Sequence, residues 1–541
     1  QRSVWIGAGA ALFGVLIAAT GGWGGAARRD LTVGVGDGVG DGHGLSDYGA
    51  GDQVERRFMA AAFLSGLVGL GAEVVWTRLM LLIIHGTVYS FAQVLGAVLI
   101  GIAVGAWGAA LIARSAGRRV DGREQLLRAA ALLALLAAVL MATVPHWIRW
   151  LAVDMAFRNG ASSGLAMGSS MLKMGLVLVP PSAAVAAALP LLVTASGARD
   201  GSRSFGQLYA ANTVGSVVGS FAVGMLLLPW LGTGGAGLVL VLACLGLGVL
   251  LLPKDFRSGR FVAVAAAVAA LMLTASIRLP VDIYRAWLPE KLKILEVKEG
   301  RVNDVLISEY QQSRSVYLNA NMVARADVAK AKTSRHHQGL GHLPMLFVAK
   351  PKRVLGIALG TGQTFAAVMK HADADFDCVE IDPVVIELSR KWFREQNEGV
   401  LDHPRVTVHN DDGRAFMRAT SHKYDLIVLE PLQAFTAGTS NLYSREFYED
   451  ARRILAPGGV VAQWIPIYLQ GVDQTRAMVR AGQEVFPQAS LWLDRVEGIL
   501  LLHDEPFSVS ADVLNERVAA RGLSKRMHEI GLGNPADIMG L

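Results

Sequence analysis

Apolar runs long enough to cross a lipid bilayer recur through the first half of this 541-residue chain. A helix needs about 20 mostly apolar residues for one crossing. By this criterion the sequence predicts about eight spans, near residues 4–22, 58–83, 89–113, 127–144, 167–196, 205–228, 233–252 and 261–278. With 18% charged residues and a mean hydropathy of +0.39, the chain is too apolar to be disordered. We therefore interpret residues 1–280 as a multi-span helical membrane domain.

Two of these spans carry further signals. The fifth holds Lys173 and three prolines, at positions 180, 181 and 190, which predict a kink or break in the helix. The first could be a signal-type segment, but no small-residue cleavage site stands out, so a retained helix is favoured. No internal repeat is visible in the first half, so the sequence does not support an inverted-repeat transporter.

Loop charge predicts how the spans are oriented, because cytoplasmic loops carry an excess of Lys and Arg. The alternate loops, after spans two, four and six, hold only Arg149 and Arg158. The loops after spans one, three, five and seven hold thirteen basic residues: Arg28, Arg29, Arg56, Arg57, Arg114, Arg118, Arg119, Arg123, Arg199, Arg203, Lys254, Arg257 and Arg260. This bias places the region after residue 280 outside the cytoplasm. The basic excess faces lipid, so we expect the bilayer as a partner and no nucleic acid.

The sequence gives little sign of metal chemistry. The two cysteines, Cys244 and Cys378, are far apart, which leaves no cysteine zinc site and no disulfide framework. In residues 31–53, Asp alternates with Gly, and such carboxylates on a flexible backbone could chelate calcium. A flexible polar loop is the simpler interpretation of this segment. We expect no resident metal ion.

From about residue 281 the chain changes character, with frequent charges and apolar runs of strand length. Residues 281–345 predict a small β-rich subdomain and a linking helix, and residues 506–541 a C-terminal tail. Between them, strand-like and helix-like segments alternate, which indicates a mostly parallel sheet covered on both faces. The predicted strands are 353–359, 376–381, 406–409, 426–429 and 460–464. We expect residues 346–505 to form an α/β Rossmann-like domain of the class I methyltransferase type.

The ligand site of such a sheet lies at the carboxyl ends of its strands. The first strand ends in the Gly-rich turn 360–362, whose backbone can approach a ligand closely. At the end of the second, Glu380 can accept both hydroxyls of a ribose, and Asp412 can accept from an adenine amine. Glu430, after the fourth, can take a proton from an attacking nucleophile. Each feature alone fits a turn, a helix cap or a solvated strand end, whereas together they predict an adenosine-type site.

These residues lie in stretches that resemble the spermidine synthase (polyamine aminopropyltransferase) family over residues 290–505. The whole chain resembles the membrane-fused bacterial branch of that family. The stretches that carry the resemblance are HHQGLGHLP (336–344), VLGIALGTGQT (354–364), VEIDP (379–383), NDDGRAF (410–416), YDLIVLEP (424–431), NLYSREFYEDARRILAPGG (441–459), AQW (462–464) and, in the first half, GQLYAANTVGSVVGS (206–220).

The resemblance implies a reaction and a set of site residues. The donor would be decarboxylated S-adenosylmethionine, the acceptor a diamine, and the reaction an in-line displacement at the carbon beside the sulfonium. Glu430 would be the catalytic base, with His337, Gln433 and Tyr443 near the acceptor. Glu380 would hold the ribose of the donor and Asp412 its adenine. The other residues expected at the donor are Gly360, Thr361, Gly362, Gln363, Asp382 and Asp411.

The sequence also departs from the family pattern. Thr361 stands where the family has an Asp that holds the donor's ammonium, and the Tyr-His-Glu triplet reads His336-His337-Gln338. Of two acids in the motif after the fourth strand, only Glu430 is present. A diamine such as putrescine is a dication, and binding it needs several carboxylates. The missing acids therefore weaken the case for putrescine as the acceptor. Unmodified S-adenosylmethionine and a methyltransferase-like use of the sheet stay open.

Two functional classes follow from these observations. The first is a membrane-anchored, spermidine synthase-like transferase of the bacterial inner membrane that uses a small-molecule amine. The second is a non-catalytic accessory or scaffold subunit of a larger membrane complex. A homo-oligomer through the C-terminal domain is compatible with either. The family's chemistry favours a cytoplasmic position for this domain, against the side indicated by loop charge.

Overall fold

The computed structural model of the protein describes residues 56–84, 88–116, 121–156, 164–197, 202–252, 267–268, 270, 279–319, 321–328, 335–371, 373–494, 497–506 and 510–533. Contacts divide the chain into two compact units, one ending at Leu288 and one beginning at Pro289. The first predicted span and the Asp/Gly segment 31–53 lie outside the described residues. The eighth predicted span lies almost entirely outside them.

The N-terminal unit is helical in its described part. Its helices, numbered in chain order, are α1 (Arg56–Leu81), α2 (Val88–Ala116), α3 (Gly122–Ala156), α4 (Gly164–Ala186), α5 (Ala188–Ala195), α6 (Ser202–Ala222), α7 (Leu228–Leu251) and α8 (Val281–Trp287). A π-helical turn, Val223–Leu227, joins α6 to α7. The fifth predicted span forms α4 and α5, separated at Ala187, whose backbone stays in the right-handed helical region (φ −65°, ψ −22°), so the predicted kink or break is not confirmed.

Five helical stretches of the described residues are long and apolar enough to cross a membrane: Arg56–Leu81, Tyr89–Ala116, Gly122–Ala152, Gly168–Ala195 and Ser204–Leu251. They coincide with the predicted spans two to seven. The last stretch, 48 residues long, covers both the sixth and the seventh predicted span, with non-helical backbone at Gly232 (φ 67°). The predicted count of about eight is therefore not confirmed.

Small residues allow α1 and α6 to pack at close range. A Cβ atom added at Gly215 would lie 2.0 Å from the carbonyl oxygen of Phe63, and one added at Gly219 would lie 2.3 Å from that of Leu67. Asn212, on α6, donates from its side-chain amide to the Ala62 carbonyl at 3.1 Å. Small residues four apart that admit a neighbouring backbone are typical of helix pairs in membranes.

The C-terminal unit begins with a four-stranded antiparallel meander in chain order: β1 (Lys293–Glu299), β2 (Asp304–Tyr310), β3 (Ser313–Leu318) and β4 (Asn321–Asp327). The inner faces of β2 and β3 bury Val305, Ile307 and Val316 in the core. This sheet occupies the region where the sequence predicts a small β-rich subdomain. The linking helix α9 (Arg335–Phe347) follows it.

A seven-stranded sheet forms the body of this unit. Its strands are β5 (Arg353–Ile357), β6 (Asp375–Val379), β7 (Val406–His409), β8 (Tyr424–Leu429), β9 (Leu455–Ile465), β10 (Gln488–Asp494) and β11 (Glu497–His503). The spatial order is β10-β11-β9-β8-β5-β6-β7, with β5 to β9 parallel and β10 and β11 antiparallel at one edge. The five parallel strands match the predicted ones. The antiparallel edge pair was not predicted.

Helices cover the sheet: α10 (Gln363–Met369), α11 (Pro383–Trp392), α12 (Gly413–Ala419), α13 (Arg445–Ile454), α14 (Val472–Gln483), α15 (Ala511–Ala520) and α16 (Ser524–Glu529). Helix α13 shows why they form. Ser444 caps it by accepting from the Phe447 N–H at 3.2 Å, and Phe447, Ala451 and Ile454 bury one face. The C-terminal segment is also helical here, and Arg521 after α15 donates to the Met345 carbonyl of α9 at 2.8 Å.

The strand order creates a crevice at the carboxyl edge of the sheet. From β5 the chain proceeds outward through β6 and β7, and it then returns to add β8 and β9 on the other side of β5. The loops after β5 and β8 therefore diverge, which leaves a gap between them at the point where the strand order reverses. Ligands of open parallel sheets bind at this point.

The close packing of α1 on α6 can be tested with two glycines of the same helix. Gly215→Ala should lower the midpoint of thermal unfolding of the full chain in detergent, because the new methyl group meets the Phe63 carbonyl. Overpacking of this kind costs about 1–3 kcal/mol. Gly206→Ala is the matched control, since a Cβ there meets no atom within 4 Å. Equal midpoints for both variants would contradict the packing argument.

Candidate functional site

A cavity of about 150 Å³ lies at the reversal of strand order. The loop after β5 supplies Ala358 and Gly360, and the end of β6 supplies Glu380 and Ile381. His337 of α9 lies on another wall. The remaining residues that line the cavity are Asn303, Val316, Leu318, Val323, Ala324, Val385, Glu430, Pro431, Leu432, Gln433, Thr439, Leu442 and Trp464. The cavity thus joins two of the predicted acids, Glu380 and Glu430, with side chains of the small sheet.

The Gly-rich loop after β5 is bent by left-handed backbone. Ala358, Gly360 and Gly362 have φ values of 67°, 53° and 81°. A Cβ atom at Gly360 would meet no heavy atom within 4 Å, so the positive φ, rather than crowding, explains the glycine there. Gly360 lines the cavity, whereas Gly362 lies at the start of α10 against Asn397.

The side chains of Thr361 and Gln363 are buried beneath this loop. The Gln363 side-chain amide donates to the Thr361 hydroxyl at 2.9 Å, and the Thr361 carbonyl accepts from Ser389 at 3.0 Å and from Asn397 at 3.0 Å. Neither Thr361 nor Gln363 lines the cavity. Their contacts hold the loop in place. That these two side chains bind the donor substrate stays a prediction.

Glu380 links the ends of β5 and β6 through its carboxylate. One oxygen accepts from the backbone N–H of Leu359 at 2.8 Å and the other from that of Asp382 at 2.9 Å. Burial, together with the nearby Asp382 carboxylate, raises the pKa of Glu380 to about 7. Each carboxylate oxygen has a second lone pair, so both can still accept a hydroxyl hydrogen from a ligand.

Two of the other predicted acids at these strand ends, Asp382 and Asp412, cap helices. Asp382 caps α11 by accepting from the Val384 N–H at 3.0 Å, and its second oxygen accepts from the backbone and side chain of Asn303. Asp412 caps α12 through the Ala415 N–H at 2.8 Å. Asp411 accepts from the Asp412 N–H at 2.8 Å. None of the three acids lines the cavity.

Glu430 lies among hydrogen-bond donors from two helices. Its Oε1 lies 3.1 Å from Nε2 of His336 and 3.2 Å from Nε2 of His337, and its Oε2 accepts from the Thr364 hydroxyl at 2.9 Å. Burial alone would raise its pKa, but the histidines and Thr364 outweigh burial and hold the pKa at about 2. Glu430 is therefore an anion at neutral pH.

His337 is a neutral imidazole at neutral pH. Burial lowers its pKa below the ordinary value and the neighbouring His336 lowers it further, whereas Glu430 opposes both effects. His336 does not line the cavity, and its ring packs against Trp464 with centroids 5.7 Å apart. Of the two imidazoles, therefore, only that of His337 belongs to a residue that lines the cavity.

Of the two other residues predicted near the amine acceptor, Gln433 lines the cavity and Tyr443 does not. Gln433 lines the cavity, and among the described residues its buried Oε1 has no hydrogen-bond partner. Tyr443 does not line it; its hydroxyl donates to the Leu432 carbonyl at 3.3 Å and supports the loop that carries Gln433. Burial raises the pKa of Tyr443 well above its ordinary value, so the phenol stays protonated.

Three contributors were not predicted as site residues. Thr364 and His336 both contact Glu430, and Trp464 lines the cavity while donating to Glu497 at 2.6 Å. All three lie inside stretches that resemble the family, which was the available signal. In the described part of the chain, no group of three or more His, Cys, Asp or Glu residues is arranged to hold a metal ion.

Comparisons with known proteins identify the family. Residues 333–493 match the model of the spermine/spermidine synthase domain. The polyamine aminopropyltransferase of Ruegeria sp. (strain TM1040) is 31% identical over 201 residues, which cover 35% of this chain and 70% of that protein. The chain belongs to the spermidine synthase (polyamine aminopropyltransferase) family.

Other relatives extend or limit the match. The polyamine aminopropyltransferase of Mycobacterium tuberculosis H37Rv is 29% identical over 321 residues, 56% of this chain and 58% of that protein. That alignment is longer than Pro289–Leu541 and so reaches into the helical unit. The chain spans only about three fifths of the length of several curated relatives, for example 60% of the Nitrosomonas europaea protein.

Solved structures show similarity over less than half of the chain. A spermidine synthase in complex with the transition state analogue AdoDATO is 22% identical, with a TM-score of 0.34, over 39% of this chain and 73% of that chain. Human methyltransferase-like protein 13 in complex with SAH is 22% identical, with a TM-score of 0.30, over 36% of this chain and 93% of that chain.

The capping geometry predicts that Asp382 stabilises the fold. Asp382→Ala removes the cap of α11 and leaves the two Asn303 donors without their acceptor. A lost cap costs about 0.5–2 kcal/mol, and unsatisfied buried donors add to that cost. We expect the thermal midpoint of the full chain to fall by about 5 °C. Asp411→Ala, which removes only an exposed local contact, is the control, and an equal fall in both variants would contradict this role.

Proposed function

We propose that this protein is a membrane-anchored transferase that binds an adenosyl-sulfonium donor and transfers its aminopropyl group to an amine. The observation that carries the proposal is the cavity at the reversal of strand order, on which both Glu380 and Glu430 converge. Membership of the aminopropyltransferase family supports it. Since only part of the chain matches the curated relatives, the activity and substrates are inferences from this site.

The donor is placed by its ribose. Glu380 can accept from both ribose hydroxyls with the lone pairs that its backbone contacts leave, and Gly360 offers close approach beside it. Asp412, which follows β7 and caps α12, is the residue that the family resemblance assigns to the adenine amine. Decarboxylated S-adenosylmethionine is the donor expected for this family, and S-adenosylmethionine is the alternative.

The reaction is a displacement at carbon. The amine nitrogen forms a bond to the methylene beside the sulfonium, the carbon–sulfur bond breaks, and sulfur keeps the electron pair as a neutral thioether. The nucleophile must lose a proton, and positioning contributes most of the remaining acceleration. Glu430 and His337 are the ionisable pair at the wall where the amine would bind.

Membrane anchoring is inferred from the five apolar stretches of the N-terminal unit. Loop charge predicts that the C-terminal unit lies outside the cytoplasm, whereas use of an adenosyl-sulfonium donor favours the cytoplasm. A reporter fused to the C-terminus, active on one side of the inner membrane only, distinguishes the two positions. A purely scaffolding subunit is not favoured, because it gives no reason for two buried acids to meet at a cavity.

Donor binding is the first test. Calorimetry of the full chain in detergent, with decarboxylated S-adenosylmethionine, S-adenosylmethionine and methylthioadenosine, should show binding of at least one. Glu380→Gln should raise that Kd by about 10- to 100-fold, because charge-assisted hydrogen bonds to the ligand are lost. Asp375→Asn is the matched control, since Asp375 is exposed at the opposite end of β6. No binding by a folded protein would refute the proposal.

The raised pKa of Glu380 predicts a pH dependence of binding. Ribose hydroxyls donate to the ionised carboxylate, so affinity should rise as pH passes through about 7. Methylthioadenosine, an uncharged probe over this range, should bind about tenfold more weakly at pH 6 than at pH 8. Glu380→Gln should show no such dependence. A pH-independent Kd for the unaltered protein would exclude Glu380 as the ribose acceptor.

A further inference from the structure

We propose that Nδ1 of His337, and not a carboxylate oxygen of Glu430, takes the proton from the attacking amine. The inference rests on the proposed transferase function and assigns the proton acceptor within that same site. Glu430 is the residue expected at this position from the family resemblance. Its surroundings give it a different task, which is to orient the imidazole and stabilise its charged form.

Glu430 is poorly suited to accept a proton. Its Oε1 is shared by Nε2 of His336 at 3.1 Å and Nε2 of His337 at 3.2 Å, and its Oε2 accepts from the Thr364 hydroxyl at 2.9 Å. Two hydrogen bonds, from His336 and Thr364, and the nearby imidazole of His337 surround an oxygen pair with about four lone-pair sites. Donors to the ionised form stabilise the anion, which makes the carboxylate a weak base.

His337 has the complementary arrangement. Its Nε2 lies next to an anion, so that nitrogen carries the hydrogen in the neutral imidazole and Nδ1 keeps its lone pair. Nδ1 is buried and has no hydrogen-bond partner among the residues that the structure describes. His337 is also a wall residue of the cavity, and a buried acceptor atom of that side chain that lacks a donor is one that an incoming substrate N–H can satisfy.

The proton transfer balances without any further reactant. An ammonium acceptor gives its proton to Nδ1 of His337, and the freed lone pair forms the new carbon–nitrogen bond as the carbon–sulfur bond breaks. The resulting imidazolium lies beside the Glu430 carboxylate, which compensates its positive charge. The imidazolium then returns its proton to solvent when the product leaves.

Polar groups from three neighbouring elements lie near His337 and Glu430. His336 lies on its own helix, Glu430 at the end of β8, and Thr364 on α10 is neutral. Two phenols feel the charge of Glu430, Tyr443 and Tyr468, and both have pKa values far above neutrality. Between pH 5 and 8, therefore, the two histidines change charge near Glu430. Glu380 lines the same cavity, and since burial raises its pKa to about 7, its charge also changes near neutral pH and acts on donor binding.

The experiment measures methylthioadenosine release by the full chain in detergent, with decarboxylated S-adenosylmethionine and a panel of amines. His337→Gln should lower kcat by about 10²–10⁴-fold and leave the donor Kd unchanged. It should also abolish the acid limb of the kcat–pH profile, and added imidazole should restore part of the rate. His336→Gln is the comparison variant, since it removes the other imidazole contact to Glu430 while leaving His337 on the cavity wall, and it should keep an acid limb.

The electrostatic signs give a second readout. His336 lowers the pKa of His337, so His336→Gln should move the acid limb to higher pH. Glu430 raises that pKa, so Glu430→Gln should move the limb to lower pH while the reaction slows. A structural role for these residues would change the rate without moving the limb in opposite directions.

The outcomes separate this inference from the proposed function. Donor binding and product release by the unaltered protein, with near-normal kcat for His337→Gln and loss of activity for Glu430→Gln, would overturn the assignment and make Glu430 the base. A rate for Glu430→Gln above that for His337→Gln, with rescue by imidazole, supports it. Absence of product with every amine, despite a folded protein, would instead refute the transferase function itself.

Discussion

The site depends on one carboxylate that joins the ends of two parallel strands. Glu380 accepts from the Leu359 N–H after β5 and from the Asp382 N–H after β6, so it fixes the Gly-rich loop against the neighbouring turn. Asp382 then accepts from Asn303, which ties the small sheet to the same turn. The floor and one wall of the cavity are thereby held by hydrogen bonds to buried acids, whose burial makes each contact more valuable than at a surface.

The parallel strands and the acids at their ends could be predicted because both follow from local patterns. Short apolar runs predict buried strands, and parallel strands bring their carboxyl ends to one edge, where Glu380 and Glu430 meet. The antiparallel pair β10 and β11 escaped prediction, since Gln488–Asp494 and Glu497–His503 form a hairpin at the sheet edge with no βα alternation.

The roles of individual side chains could be predicted less well from the sequence. Asp412 and Asp382 follow strands in the same way as Glu380, yet they cap helices because the next residues begin a helix at once. Thr364 and His336 meet Glu430 only through the packing of α10 and α9 against β8, and sequence spacing does not encode that contact. The sequence therefore locates the edge of the sheet, whereas tertiary packing decides which side chains face the cavity.

The tie between Asn303 and Asp382 has a consequence for how substrates are selected. Val316 and Val323, on the small sheet, line the cavity, and that sheet is fastened to the turn that holds Glu380. This wall is therefore set in place when the chain folds and not when a ligand arrives. The conformational entropy of ordering the wall is lost during folding, so a molecule of matching shape binds without that penalty. A bulkier molecule would have to break buried hydrogen bonds, so this wall limits the size of the molecule that the cavity can hold.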